Sequence, residues 1–320
     1  SKGIHIITRD MSGDHALAIQ SDIGGHFFVI PWRGHTIFGT TDAVFKDEPD
    51  RVGVTEEDIR DFLSVINDGL PSLNLKREDV LHHYVGIRPL IDNEPDAEGP
   101  KDSYKASREA EVCDHRTMSG IDGFISALGG KWTTSRHLAE LIVDMAAKKI
   151  GNTAKCETHC TPVYGGEIGR LKSFITRAQK RHAHLPADVV ENLCHFYGSR
   201  IDEVLATADE PGTDRTAMLR RLTSEAPYLA VQIIHAVRHE MATHMADIVL
   251  RRTGIGTLGH PGVPMLKAIA ELMAQELNWD ETRIATELAN TSRLFETQAR
   301  QLEGDMQGAA MAEASNEVHP

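Results

Sequence analysis

The chain has 320 residues, and a hydrophobic fraction of 41% supplies enough apolar side chains for one large or two ordinary cores. A formal charge of −13 argues against the basic face that a nucleic-acid surface needs. There is no run of about 18 apolar residues to span a membrane, and no signal peptide is legible at the start.

The first residues, "SKGIHIITRD", start without Met and go straight into a strand-like run, as expected of a chain cut from something longer. "GIHIIT", "HALAIQ", "HFFVIPW" and "HTIFGTT" follow one another closely, with Gly24-Gly25 and Arg33-Gly34 as turns. Short alternating runs between turn residues predict an antiparallel meander. Thr55 with Asp58 then reads as a capping box. Ile59, Phe62, Leu63, Ile66 and Leu70 make one apolar face of the helix behind it, which Pro71 ends. "DVLHHYVGIRPLI", "SYKAS", "EVCDH" and "GFISALGG" are further strands. A second helix follows "GGKWTTSR", with Leu138, Leu141, Ile142 and Met145 expected on its buried side.

From about residue 160 the apolar spacing is three and four throughout, in "EIGRLKSFITRAQKRH", "ADVVENLCHFYG", "RIDEVLATA" and "PYLAVQIIHAVRHEMATHMADIVLRR". The fold class expected is α+β: a mostly antiparallel sheet with flanking helices over residues 1–152, then an all-α domain over 153–305. Residues 306–320, with no periodicity, are expected to be a disordered tail.

Three motifs invite chemistry that the sequence does not support. "RRTGIGTLGHPG" contains G-x-G-x-x-G at Gly254, Gly256 and Gly259. A dinucleotide loop must leave a strand and open a βαβ unit. Here helical spacing flanks the glycines on both sides, so the stretch reads as a helix cap and interhelical loop. "HEMATH" places His239 and His244 five apart, about 140° around a helix, which fails the zinc-protease spacing. "CETHC" groups Cys156, His159 and Cys160 without the second ligand pair that zinc sites usually show. With Cys113 and Cys194 these read as reduced thiols, and no metal site is expected.

Other polar groups stand at strand ends. His5 lies inside an apolar strand, where a satisfied core histidine is the commoner reading. Arg88 ends "YVGIRPL", Arg108 sits at the turn of "SYKASREAEV", and Lys131 follows two glycines in "SALGGKWTT". At that last corner a strand ends at Gly129-Gly130 and a helix begins near Thr133–Thr134. Free amides at such a start accept anions, and the glycines allow a flat ligand to approach. An ordinary threonine-capped turn would look the same.

Taken in order, "KGIHIIT", "FVIPWRGHTIFGTTDA", "VGIRPLI", "SREAEV" and "GGKWTTSR" resemble the FAD-dependent glycerol-3-phosphate dehydrogenases and their oxygen-using relatives, the glycerol-phosphate oxidases. "AVRHEMATHMADIVLRRTGIG" resembles that family's C-terminal helical domain. The resemblance implies a D-amino-acid-oxidase-like flavoprotein that lacks its N-terminal Rossmann part, roughly the first two-fifths of a member. That is expected of a truncated chain or an incomplete reading frame. Such a chain would expose a surface covered in the family, and would be inactive and unable to retain FAD alone.

The reaction implied is oxidation of sn-glycerol 3-phosphate to dihydroxyacetone phosphate. Hydride passes to FAD and electrons go to a quinone, or to oxygen in the oxidases. By resemblance His5 is the base or hydroxyl partner, Arg88 and Arg108 contact substrate, and Lys131 stabilises developing negative charge. The cofactor-binding residues implied are Thr40, Gly129, Gly130, Lys131, Trp132 and Thr133. Which arginine meets the phosphate is left open, as is a homodimer. The resemblance further implies a cytoplasmic protein peripheral to the membrane, for which "RLKSFITRAQKRH" is a candidate basic face, although a solvated helix face is the simpler reading. A reading of another class is a non-catalytic partner-docking module, for which His5, Arg88, Arg108 and Lys131 would not be needed together.

Overall fold

A computed structural model describes residues 1–88 and 110–297. Two compact units divide after Thr161. The first opens with β1 (Lys2–Arg9), β2 (Leu17–Ser21), β3 (Gly25–Trp32) and β4 (His35–Gly39), then α1 (Glu56–Gly69) and β5 (His82–Ile87). These strands form one antiparallel sheet in the order β2-β3-β4-β1-β5. The meander runs from β2 to β4 and closes on β1, which therefore sits between β4 and β5 rather than beside β2.

The two sheet faces differ because side chains alternate along each strand. Ile4 and Ile6 of β1, Phe27 and Val29 of β3 and Phe38 of β4 point one way and are buried under Ile59, Phe62, Leu63 and Ile66 of α1. Phe27 and Phe62 meet edge to face with ring centroids 6.2 Å apart. Each such side chain contributes about 1.5–3 kcal/mol of burial. The capping box is present: the Asp58 amide donates to Thr55 Oγ1, and the Thr55 amide donates to the Asp58 carboxylate. Lys2 Nζ also reaches that carboxylate at 2.7 Å, which ties the helix start to β1. The opposite face carries His5 and Ile7 of β1 with their register partners Gly39, Ile37, Tyr84 and His82.

The rest of the unit holds β6 (Glu111–Asp114), the short α2 (His115–Ser119), β7 (Ile125–Leu128) and α3 (Ser135–Lys149). β6 and β7 pair antiparallel, and Lys149 ties the end of α3 to Asp114 at 2.9 Å and Asp122 at 3.0 Å. The expected buried side of α3 needs correction. No residue of this helix is buried. Leu138, Ile142 and Met145 are half-buried, and Leu141 is exposed. The apolar stripe exists, but the described residues cover it only in part. The predicted strand in "SYKAS" lies outside the described residues, as do residues 306–320.

The second unit is helical: α4 (Leu171–Arg181), α5 (Ala187–Tyr197), α6 (Ile201–Ala206), α7 (Arg215–Met218), α8 (Ala230–Glu240), α9 (Val263–Leu277) and α10 (Glu281–Arg293). Two apolar cores share α8: Val231 and Ile234 face α4, α5 and α6, whereas Ile233 and Ala236 face α9. Arg238 grips Glu276 of α9 with Nε at 2.8 Å and Nη2 at 2.6 Å, and reaches Glu210 with Nη1 at 3.1 Å.

The single long helix expected from "PYLAVQIIHAVRHEMATHMADIVLRR" is in fact broken. α8 stops at Glu240, Met241 turns left-handed, and a π-helix covers Asp247–Arg252. Carboxylates hold the break. Asp247 accepts from the amides of Thr243 and His244, and the buried Glu287 of α10 accepts from the Met245 amide. His239 and His244 therefore do not share a helix. The former pairs with Glu210 and the latter with Glu287. After the π-helix, "TGIGTLGHPG" is a loop into α9. A side chain at Gly256 would strike Phe295 and Val249, so packing alone accounts for that glycine.

Candidate functional site

The face of the five-stranded sheet away from α1 presents His5. It stands on the central β1, opposite Gly39 on one neighbour and Tyr84 on the other. A Cβ on Gly39 would overlap the imidazole at Cδ2, so the ring lies directly over a backbone position with no side chain. Burial, and secondarily the charge of Arg88, hold the His5 pKa below its usual value. The ring is therefore neutral at neutral pH, as a group that must accept a proton requires.

Arg88 follows β5 directly and is fixed on several sides. Nη2 donates to Thr40 Oγ1 at 2.9 Å and to the Thr41 carbonyl at 2.7 Å. Nη1 lies 3.2 Å from Asp42 Oδ1 and donates to Ser1 Oγ at 3.4 Å. Gly3 leaves the room this needs, because a Cβ there would overlap Arg88 Nη2 and sit 2.7 Å from Thr40 Oγ1. Both two-pronged modes of a guanidinium, end-on and side-on, use Nη2 hydrogens. Here both Nη2 hydrogens are spent on the protein, so Arg88 offers its charge and single contacts rather than a fork.

The structure thus brings His5, Thr40 and Arg88 together with Gly3, Gly39, Thr41 and Asp42, which the sequence reading did not single out. The available signal was "GTTDA", where a carboxylate stands two residues beyond Thr40. Arg108 lies outside the described residues.

The remaining predicted residues form a second group at the β7–α3 corner. Gly129 and Gly130 adopt φ of 64° and 91° in succession, a left-handed pair that side chains disfavour. A short 3₁₀ turn, Trp132–Thr134, then leads into α3. The Thr134 amide and Oγ1 both donate to the Lys131 carbonyl. The threonine hydroxyl is therefore spent as a donor and caps no amide of α3. The amides of Trp132 and Thr133 have no hydrogen-bond partner among the described residues. Lys131 is exposed, and Trp132 is 95% exposed. Unspent amides, two left-handed glycines and an adjacent cation fit the edge of a flat, electron-rich cofactor such as a flavin. No hydrogen bond or ion pair among the described residues joins this corner to the His5 group.

Among the described residues no group of three or more His, Cys, Asp or Glu could hold a metal ion, and Cys113, Cys156, Cys160 and Cys194 are free thiols. No helix among them is long and apolar enough to cross a membrane.

Comparison with known proteins matches each unit separately. Residues 1–145 match the family described as FAD dependent oxidoreductase, and residues 156–284 match the C-terminal domain of alpha-glycerophosphate oxidase. The chain is 30% identical to a probable mitochondrial glycerol-3-phosphate dehydrogenase of Dictyostelium discoideum, over 93% of this chain and 46% of that protein. It is 31% identical to an aerobic glycerol-3-phosphate dehydrogenase of Staphylococcus haemolyticus, over 88% of this chain and 50% of that protein. A solved structure, the Bacillus halodurans glycerol-3-phosphate dehydrogenase complexed with FAD, superimposes with a TM-score of 0.72 at 26% identity. That match covers 92% of this chain and 56% of the other. The chain spans about half the length of the curated relatives it matches.

Proposed function

From the premise that the chain belongs to the FAD dependent oxidoreductase family, with a C-terminal domain of the alpha-glycerophosphate oxidase kind, we propose that it carries the substrate sheet of an enzyme that oxidises sn-glycerol 3-phosphate to dihydroxyacetone phosphate. The observation that supports this most directly is the pairing of a neutral His5 with the anchored charge of Arg88 on one sheet face. Oxidising a secondary alcohol requires a group that takes the hydroxyl proton and a cation that stabilises the developing alkoxide. His5 supplies the first and Arg88 the second.

The second group would hold FAD. FAD bound there would supply the hydride acceptor. Lys131 and the unspent amides of Trp132 and Thr133 would face its electron-rich edge, with Gly129 and Gly130 making room and Thr40 lying close by. A substrate phosphate calls for a two-pronged cation. Arg88 has spent its Nη2 hydrogens, so in this reading it serves the carbinol, and the phosphate falls to another cation, for which Arg108 is the candidate. Quinone as electron acceptor, peripheral membrane attachment on the cytoplasmic side and a homodimer belong to the same proposal.

Anaerobic addition of sn-glycerol 3-phosphate to the flavin-loaded whole protein tests it. Bleaching of the flavin absorbance is expected, and glycerol without phosphate should leave the colour unchanged. A flavin that stays oxidised with sn-glycerol 3-phosphate overturns the assignment. Oxygen, as in the oxidases that the family resembles, is the alternative acceptor. Oxygen consumption measured against quinone reduction decides between them.

A further inference from the structure

Asp42 stands just beyond β4, and its side chain is only 3% exposed. A carboxylate removed from water is strongly disfavoured unless a cation meets it. Among the described residues Arg88 is a cation that does so, with Nη1 3.2 Å from Oδ1. The other tethers on the guanidinium are neutral: two threonine oxygens and a serine hydroxyl. All of these bonds have a charged donor, but only the carboxylate adds an opposite charge, so it holds the guanidinium harder than a neutral oxygen does. Without the carboxylate, Nη1 would keep only the 3.4 Å contact to Ser1. The charge that lowers the His5 pKa would then be free to swing away from the sheet.

We propose that Asp42 is a positioning residue, which acts through Arg88 to fix the plane and charge of the guanidinium on the His5 side of the sheet. Its catalytic meaning rests on the reading above. The geometry itself does not, because the anchoring is a property of this chain's own residues.

Side-chain NMR of isotope-labelled arginine in the full chain tests the anchoring without turnover. The wild type should show a resolved Nη signal in slow exchange that disappears in Arg88→Lys, which identifies it. Asp42→Asn, with the same shape and no charge, should abolish the slow exchange while the methyl spectrum stays that of the folded chain. Asp42→Glu should restore part of it. Slow exchange that survives in a folded Asp42→Asn overturns the proposal. Should Asn at 42 prevent folding, Thr40→Val keeps the question decidable. It removes one Nη2 acceptor and leaves the ion pair, so slow Nη1 exchange must persist, and its loss there would move the anchor to Thr40.

Turnover by the flavin-loaded whole protein is the second readout. Asp42→Asn should lower kcat by about ten- to a hundredfold, with a smaller change in KM and partial recovery in Asp42→Glu. A wild-type rate in Asp42→Asn overturns the catalytic half. A whole protein that never oxidises sn-glycerol 3-phosphate overturns the functional reading, and the NMR result alone then judges the anchoring.

Discussion

The imidazole of His5 occupies the space in which a side chain at position 39 would stand. Both residues are fixed in antiparallel register, so neither can retreat along its strand. Gly39→Ala should therefore displace the ring rather than the backbone. The expected result is a shifted His5 resonance and a loss of about 1–3 kcal/mol in urea unfolding. An unchanged ring signal would show that the imidazole is not held where the structure has it.

Lys131 gives the complementary case. It is exposed and makes no ion pair among the described residues. Lys131→Met should leave stability within about 0.5 kcal/mol. In the flavin-loaded whole protein the same change should lower kcat about a hundredfold or more, as loss of a transition-state charge does. Turnover at the wild-type rate would remove Lys131 from the chemistry.

Two other histidines set an acid limit on stability. His82 and His235 are buried and held at about 4. Burial is the main cause in both, followed by His83 beside the first and His239 beside the second. The folded value lies below the unfolded one near 6.5, so the stabilisation is complete above that pH. It is lost as pH falls from 6.5 to 4, where the unfolded chain takes up protons that the folded chain refuses. Each site should cost on the order of 3 kcal/mol across that window. Urea unfolding at several pH values measures it, and His235→Gln should flatten the slope for the helical unit. An equally steep slope in that variant would acquit His235.

Glu287 joins α10 to the segment after α8. Its carboxylate is buried, accepts from the Met245 amide at 2.9 Å, and lies 2.8 Å from His244 Nδ1 and 2.7 Å from Arg283 Nη2. Glu287→Ala leaves those groups without their acceptor and should cost about 3–5 kcal/mol. A loss below about 1 kcal/mol, the scale of an exposed pair, would mean that the junction after α8 is held by something else.

Local periodicity and turn chemistry made much of this legible. The alternation of β1 and β3, the Thr55–Asp58 box and the helical spacing after residue 160 each depend on neighbours within a few residues. Where the reading failed, the cause lay farther away. The stripe on α3 is a true amphipathic pattern, but a pattern does not say whether anything covers it. The break after Glu240 follows from Asp247 and from Glu287, more than 40 residues downstream, which no window of 11 to 18 residues includes. At the site, His5, Arg88 and Lys131 were recognisable by residue type and resemblance. Asp42 was passed over because Arg88, which it meets, lies beyond another strand, 46 residues away.

The chamber around Arg88 also has a genealogical consequence. Gly3, Thr40, Asp42 and Arg88 are scattered over the first 88 residues, yet each fits only what the others leave. A side chain cannot arrive at position 3 while an arginine fills the volume. A shorter cation at 88 would give up the contact with the acid at 42. These four positions should drift through evolution as a single inherited unit, changing jointly or not at all.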